Sequence, residues 1–455
     1  MGSAEGETEI KEEETKGTLL FTGVTDWDII NKFTTKPSEE LPNFPSPTRF
    51  KSFPSKVSRV ISGSAAHHCL AIAEGKLYAW GANSKGQLGL NHTKTTYKPC
   101  VVEGLLKGKT IVDGAAGKGH TVVFDATGTS YSFGSNKYGQ LGLGKVKQVI
   151  TKKSATEEIH ITPVKNLVPN AKQITCGAEF TLWLTSTGGV MSAGCPEYGQ
   201  LGHGTDNQYN SSASSLKMFF QPQPTPRLIS ALSNKKMLQI ASGNNHSLAL
   251  DGDGHLYSWG FGGYGRLGHN IQRDEFAPRR IEFFENRLAL PLDCKIACGG
   301  MFSFATIKGG QLYVWGKTKI QGDTMMYPKP LLDLSGWAIR SITCGTSTIG
   351  IASENSTITW GQASYGELGY GAGGRKTSAN PDKVNALEGM VVHQVACGAG
   401  HMLFVLDGKV DASKFPEWDA PDAVDKPPEV AAGTKRKGGA GRGRGRGRGR
   451  GKRGR

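Results

Sequence analysis

The chain has 455 residues, a formal net charge of +15, 63 glycines and 8 cysteines. No stretch reaches the ~18 consecutive apolar residues that span a bilayer. Glycine at about 14%, twice the usual ~7%, is spread through a body that is not of low complexity, which excludes a helical bundle and favours many tight turns between short strands. The charge is uneven, with six Glu against two Lys in residues 1–16 and 11 basic residues with no acid from Lys435 onward, so the strong basic signal belongs to the C-terminal tail.

Residues 1–16, MGSAEGETEIKEEETK, are acidic and lack the apolar segment of a secretory signal. A disordered N-terminus on a soluble intracellular protein is expected, and Gly6 stands where N-myristoylation prefers Ser or Thr. Residues 17–23, GTLLFTG, read as a strand without a partner nearby. After them one phrase, small-Gly-x-x-His-hydrophobic, recurs at Gly63 (SGSAAHHCLAI, one residue longer), Gly117, Gly177, Gly243, Gly299, Gly345 and Gly398. A second phrase, aromatic-Gly-x4-Gly-x-Leu-Gly, follows most copies, ending in GQLG at 86–89, 139–142 and 199–202, GRLG at 265–268 and GELG at 366–369. Between them lie TVVF, SYSF, LYSW and LYVW, β-branched and aromatic runs bounded by glycine.

Seven repeats of roughly 50 residues built from short strands predict an all-β fold, a seven-bladed β-propeller over residues 17–410. The last copy, HMLFVLDGKV (401–410), lacks its own LYxWG strand, so residues 17–23 are expected to pair with it and close the ring. Trp80, Phe133, Trp259, Trp315 and Trp360 are expected to wedge between blades. Cys176, Cys298, Cys344 and Cys397 each precede the repeat glycine and no CxxC occurs, which predicts small buried thiols rather than disulfides or a zinc site.

The spacing Gly260-x-Gly262-x-x-Gly265 matches a dinucleotide-binding loop. Gly260 and Gly265 are repeat positions, however, and RLGHNIQRDEFAPRR follows where a helix should start, so no cofactor is expected. EGLLKGKT (103–110) misses the first glycine of a phosphate loop. His68, His120, His246 and His401 share one repeat slot that elsewhere holds Phe180, Phe302 or Thr348, so they are expected to bond the backbone of a neighbouring strand and to hold no metal. No Ser/His/Asp or Cys/His set is recognisable, and catalysis is not expected.

Loops on a rigid ring are the natural site of function. Three depart from the repeat: the basic connection 144–162 with Lys145, Lys147, Lys152 and Lys153; the polar connection 204–226; and KTKIQGDTMMYPKP (317–330), read as belonging to the sixth blade. Leu216, Met218, Phe219 and Phe220 form an apolar cluster in the second and, with Lys152 and Lys153, are the candidate protein-binding residues. Beyond a Pro/acidic linker (411–434) comes the Arg-Gly tail 435–455. Lys435, Arg436, Lys437, Arg442, Arg444, Arg446, Arg448, Arg450, Lys452, Arg453 and Arg455 are its candidate nucleic-acid contacts, because alternating Arg and Gly cannot build a core and each guanidinium can bond phosphate and stack on bases.

The two phrases resemble the regulator-of-chromosome-condensation repeat family over about residues 17–410. FTGVTDWDII (21–30), CPEYGQLGH (195–203), WGFGGYGRLGH (259–269), MYPKPLLDLSGWAIRSITCG (326–345) and STITWG (356–361) resemble its telophase-disc branch. That resemblance implies a non-catalytic binding platform for a small GTPase of Rac or Ral type or another protein. It also implies association with chromosomes, centromeres and spindle microtubules, and so a nuclear, chromosome-associated location extending to nucleolus, spindle or cytoplasm; chromatin, RNA or microtubules are the partners expected of the basic tail. Two other readings stay open: a guanine-nucleotide exchange factor for such a GTPase, and a nuclear RNA-binding protein. Ran exchange in the family is associated with acids just before the repeat histidine and with a projecting β-wedge; here the slots hold Gly119, Glu179 and Asn245, and KVKQVITKKSATEEIHIT after Gly144 does not resemble that wedge. The family's UV-B photoreception uses tryptophans directly after the repeat glycine, where this chain has Lys118, Ala178, Asn244, Gly300, Thr346 and Ala399.

Overall fold

Each repeat folds into one four-stranded antiparallel sheet. In a computed structural model describing residues 17–30, 39–54, 56–147, 149–150, 155–210, 218–285, 290–319 and 322–422, the fourth blade shows the pattern. Its strands Met237–Ser242, His246–Asp251, Leu256–Gly260 and Glu275–Arg280 pair in sequence order. Its second strand, HSLALD, is buried at every position because it has a neighbouring strand on both edges and a neighbouring blade on both faces. The outermost strands carry prolines in all seven blades, Pro99, Pro163, Pro224, Pro278, Pro328, Pro381 and Pro45 among them. Proline is suited to an edge, where its missing N–H leaves no ladder bond unmade and blocks further strand addition.

The first strands of blades 1 to 7 are Val57–Ile61, Ile111–Ala116, Ala171–Cys176, Met237–Ser242, Ile296–Cys298, Ser341–Cys344 and Val392–Cys397. Each touches the first strand of the blade before and after it, and the seventh touches the first, so they line the axis of a closed ring. Side-chain amides stitch this inner wall: Gln394 accepts from Val60 N and donates to Val60 O, both at 3.0 Å, and Gln173 does the same to Ile240. The extra residue of the first repeat phrase is used across the axis. Ser64 Oγ donates to Asn244 Oδ1 at 2.7 Å, and Thr346 Oγ1 donates to Ser64 O at 2.6 Å, tying blades 1, 4 and 6 together at one end of the channel.

Closure occurs in the seventh blade as the sequence predicts. Gly17–Gly23 pairs antiparallel with His401–Asp407 in unbroken register from Gly17↔Asp407 to Gly23↔His401. Leu19, Leu20 and Phe21 are buried there. The N-terminal segment also contributes the outermost strand, Phe44–Phe50, which the sequence reading did not assign because FPSPTRF holds two prolines. A further difference concerns residue 410, given as the propeller's end. Glu417–Trp418 adds a short parallel strand to Phe44–Phe50, with Trp418 packed on Phe44 and Phe50 and with Arg49–Glu417 and Lys51–Asp419 ion pairs at 2.7 Å. The folded unit therefore runs to Asp422, its apolar anchors hidden in a stretch that reads as Pro/acidic linker. Residues 317–330, assigned to the sixth blade, belong to the fifth when counted from Val57.

The cysteines are free, and Cys176, Cys298, Cys344 and Cys397 are buried at the ends of inner strands. Burial pushes the Cys176 thiol up to about 12. No helix among the described residues is long and apolar enough to cross a membrane.

Candidate protein-binding face

The antiparallel order places the turns between first and second strands, and the connections between third and outermost strands, on one face of the ring. The repeat glycines are needed here. Gly260 has φ +102°, and a Cβ on it would lie 2.5 Å from the Asn245 carbonyl oxygen. The equivalent glycine in the other six blades has the same left-handed φ and the same obstruction by backbone. Gly262, the extra glycine of the dinucleotide-like spacing, faces Arg273 O, at 1.9 Å from its own hypothetical Cβ. All three glycines are thus accounted for by close backbone approach.

The aromatic before the glycine is fully buried in four blades, and Phe133, Trp259 and Trp315 rest on Gly89, Gly202 and Gly268, the last glycine of the preceding blade's turn. In the third blade the slot holds Ala193, and Trp183 from the neighbouring strand covers Gly142 in its place.

The repeat histidines bond into the next blade through side-chain hydroxyls: His68 Nε2 with Thr121 Oγ1 at 2.8 Å, His120 with Thr181 at 3.0 Å and His246 with Ser303 at 2.9 Å, with the backbone of Phe180 and Phe302 also acting on His120 and His246. Each hydroxyl spends its only proton on a carbonyl, of Gln87, Gln140 and Arg266 respectively. The imidazole must therefore donate from Nε2, which makes it the neutral Nε2–H tautomer. Nδ1 is buried without a partner in each, and in His120 and His246 the ring lies under the glycine three residues earlier; a Cβ at Gly117 would lie 2.1 Å from His120 Cε1. The rings thus aim a proton at a hydroxyl and cover their lone pair, which is the opposite of a metal ligand's arrangement.

Burial lowers His120 and His401 to about 3 and holds His68 and His246 well below the ordinary value. The folded state therefore refuses protons that the unfolded chain takes up below about pH 6.5. Stability should fall as pH drops from about 6.5 towards 3, by up to ~1.4 kcal/mol per pH unit for each such histidine. Urea unfolding at pH 7.5, 6 and 5 checks this. His120→Phe, which copies Phe180 and Phe302, should make the slope shallower while costing about 1 kcal/mol at pH 7.5.

The three GQLG glutamines cap their own turns. Gln87, Gln140 and Gln200 accept through Oε1 from the backbone N–H two residues earlier, at 2.9, 2.9 and 2.7 Å. Glu367 does this with Tyr365 N at 2.7 Å, and its burial raises its carboxyl above the usual range. Arg266 cannot, and Gln272 Oε1 takes the Tyr264 N–H at 3.1 Å.

Two of the irregular connections fold as hairpins on this face. Val149–Ile150 pairs with Ala155–Thr156, so the connection after Gly144 contains a short β-hairpin. Its base is fixed by Glu157, which bonds Ser135 and pairs with Lys85 of the neighbouring blade at 2.5 Å. Gln208–Asn210 pairs with Met218–Phe220 in the third blade. Tyr209 is 48% and Met218 38% exposed, Phe219 and Phe220 are half-buried, and the Tyr209 and Phe219 rings lie 5.8 Å apart. Met218, Phe219 and Phe220 of the apolar cluster read from the sequence thus lie on one strand of a hairpin whose other strand adds Tyr209, a member the sequence reading missed. Lys152, Lys153, Leu216 and the tail residues Lys435 to Arg455 lie outside the described residues. Glu179 is half-buried beside Lys137 and Lys118, and burial raises its carboxyl.

Asp251, Asp253 and His255 come together in a turn on the opposite face. Asp251 Oδ1 accepts from the N–H of Asp253 and of His255, and Oδ2 from the Tyr257 hydroxyl. Asp125 caps the equivalent turn of the second blade with Thr127, Thr129 and Tyr131, so the cluster is a hairpin cap.

Residues 74–124, 127–184, 187–250, 253–306 and 355–405 match the family described as the regulator of chromosome condensation (RCC1) repeat. Each match starts in one blade and ends in the second strand of the next. The chain is 38% identical over 437 residues to the protein RCC2 homolog of Danio rerio, covering 89% of this chain and 84% of that protein. It is 37% identical over 430 residues to protein RCC2 of Homo sapiens, covering 88% and 78%. Among solved structures it resembles Prp20p from Saccharomyces cerevisiae, described with its binding properties to Gsp1p and histones, at 20% identity and a TM-score of 0.64, covering 87% of this chain and 94% of that one.

Proposed function

Because the chain belongs to the RCC1 repeat family, we propose that it is a non-catalytic propeller platform. Its hairpin-bearing face receives a small GTPase of Rac or Ral type, and its Arg-Gly tail holds it on chromatin, RNA or microtubules in a nuclear, chromosome-associated setting. The observation that carries this reading is the hairpin Gln208–Asn210/Met218–Phe220, which offers Tyr209 and Met218 to solvent. Exposed aromatic and Met side chains on a rigid mount are the residue types that dominate protein interfaces. The binding of Gsp1p and histones by Prp20p supports the partner class.

A second reading, guanine-nucleotide exchange, is favoured by the hairpins inserted in the connections of blades 2 and 3. Exchange needs a surface that prefers the nucleotide-free GTPase, not a reactive side chain. Titration of the full-length protein against a panel of small GTPases, with nucleotide release followed in parallel, tests both. Binding without stimulated release is expected, and Tyr209→Ala with Met218→Ala should weaken it about tenfold. Stimulated release of one member would favour the second reading, and no binding to any member would reject both.

A further inference from the structure

Arg266 is 3% exposed, yet its guanidinium faces no carboxylate partner among the described residues; Nε donates to Gly263 O at 2.9 Å and Nη1 to Gly300 O at 2.7 Å. Nη2 makes no hydrogen bond among the described residues and is not one of the sealed polar atoms, so it reaches the surface. The guanidinium carbon lies 4.6 Å from the Phe261 ring centre and 5.6 Å from that of Tyr264. Lys317 of the next blade sits 5.3 Å from the other ring contact of this group, Tyr264, while the Tyr198 ring of the preceding blade lies tilted against Phe261 at 4.9 Å. A cation that has left water with no ion-pair partner, and only the longer-range charge of Asp274 to offset it, is costly unless something repays it.

The cost here is larger than the turn requires. Three sister turns place a neutral glutamine in this slot and cap themselves with it. The fourth gives up that cap, borrows Gln272, and holds Tyr264 at φ +61°, a left-handed conformation that a non-glycine residue adopts under strain. We propose that Arg266 Nη2 and Lys317, framed by Tyr264 and Phe261, form a recognition site for a carboxylate side chain on an acidic loop of the protein partner. This rests on the reading of the face as protein-binding and names the chemistry it selects.

A protein carboxylate fits two neighbouring cations better than a nucleic-acid backbone does, because the other arginines of this blade are already paired. Arg273 and Arg279 are bound to Glu275 and Arg280 to Glu285, which leaves Arg266 and Lys317 as a local pair of cations and not a run of free arginines along the connection.

The test uses the full-length chain and hydrogen exchange read by mass spectrometry, which separates this face from the tail by sequence. Octaglutamate should slow exchange in 259–275 and 299–317. Arg266→Gln restores the glutamine of the sister turns and should keep the melting temperature while weakening that local protection about tenfold or more. Lys317→Ala, which removes no buried group, should weaken it in the same direction. Protection unchanged in both variants would overturn the proposal, as would protection of these segments by octathymidylate or inorganic phosphate but not by octaglutamate. The probe reports on the site whether or not a GTPase is the partner, so its failure is separable from that of the GTPase titration.

Discussion

A chain lacking residues 1–23 should not form a stable monomer. The deleted strand supplies the third position of the seventh blade, and its loss leaves all of His401–Asp407 with an open edge. Leu19, Leu20 and Phe21 are 2%, 0% and 1% exposed. Each such side chain contributes about 1.5–3 kcal/mol by burial. Leu20 packs with Val395, Phe404 and Leu406, and Phe21 meets Trp27, Phe44 and Phe50, so these partners would be stripped as well. The outermost strand Phe44–Phe50 would keep only the short Glu417–Trp418 strand to pair with. Together these losses approach the whole stability of a typical domain, about 5–15 kcal/mol. Sedimentation and far-ultraviolet circular dichroism of the truncated chain should show aggregation or loss of the cooperative melt; a monomer melting within a few degrees of the full chain would refute the expectation.

The second large effect is expected at Gly260. In Gly260→Ala the new methyl meets the Asn245 carbonyl oxygen at 2.5 Å and His246 Cα at 2.9 Å, both backbone atoms that cannot swing aside. The residue would also have to hold φ +102°, outside the range an L side chain accepts. Overpacking of about 1–3 kcal/mol and backbone strain of similar size should add. The neighbouring His246–Ser303 bond shares this junction, so the interface between blades 4 and 5 should loosen first. Thermal melts of Gly260→Ala beside Gly204→Ala make the comparison clean, since Gly204 also has positive φ, at +81°, but open space where its Cβ would stand. The first should be several-fold more destabilised than the second; equal losses would mean that φ alone, and not contact, is what the glycine serves.

Much of this architecture was legible in the sequence because it is repeated. Seven copies of one phrase give seven sheets, the missing strand of the last copy points to residues 17–23, and the buried aromatics follow from the turn glycines they rest on. What escaped the reading depends on one-off or long-range pairings. FPSPTRF looks unlike a strand because an edge strand tolerates proline, and Trp418 is a single anchor in polar surroundings. The extra residue at the first phrase is visible as a spacing, but its target, Asn244, lies 180 residues away. The histidine tautomer follows only from seeing where Thr121, Thr181 and Ser303 send their protons.

The candidate face was legible in part. The sequence marked the inserted connections as places of function and found Met218, Phe219 and Phe220, since apolar residues among Ser, Gln and Pro stand out. It did not find Tyr209, eight or more residues earlier and brought alongside by pairing with Phe219. Arg266 was hidden by its frame, because GRLG reads as one more GQLG until the turn cap is seen to come from Gln272.

Native-state hydrogen exchange of the amides in 17–23 probes the joining of the two chain ends most directly. If these residues close the ring, they exchange only through global unfolding, with the same free energy as the amides of 401–407 and the same dependence on denaturant. If they open at much lower free energy while 401–407 stays protected, the ring stands without them and closure by the N-terminal strand is wrong.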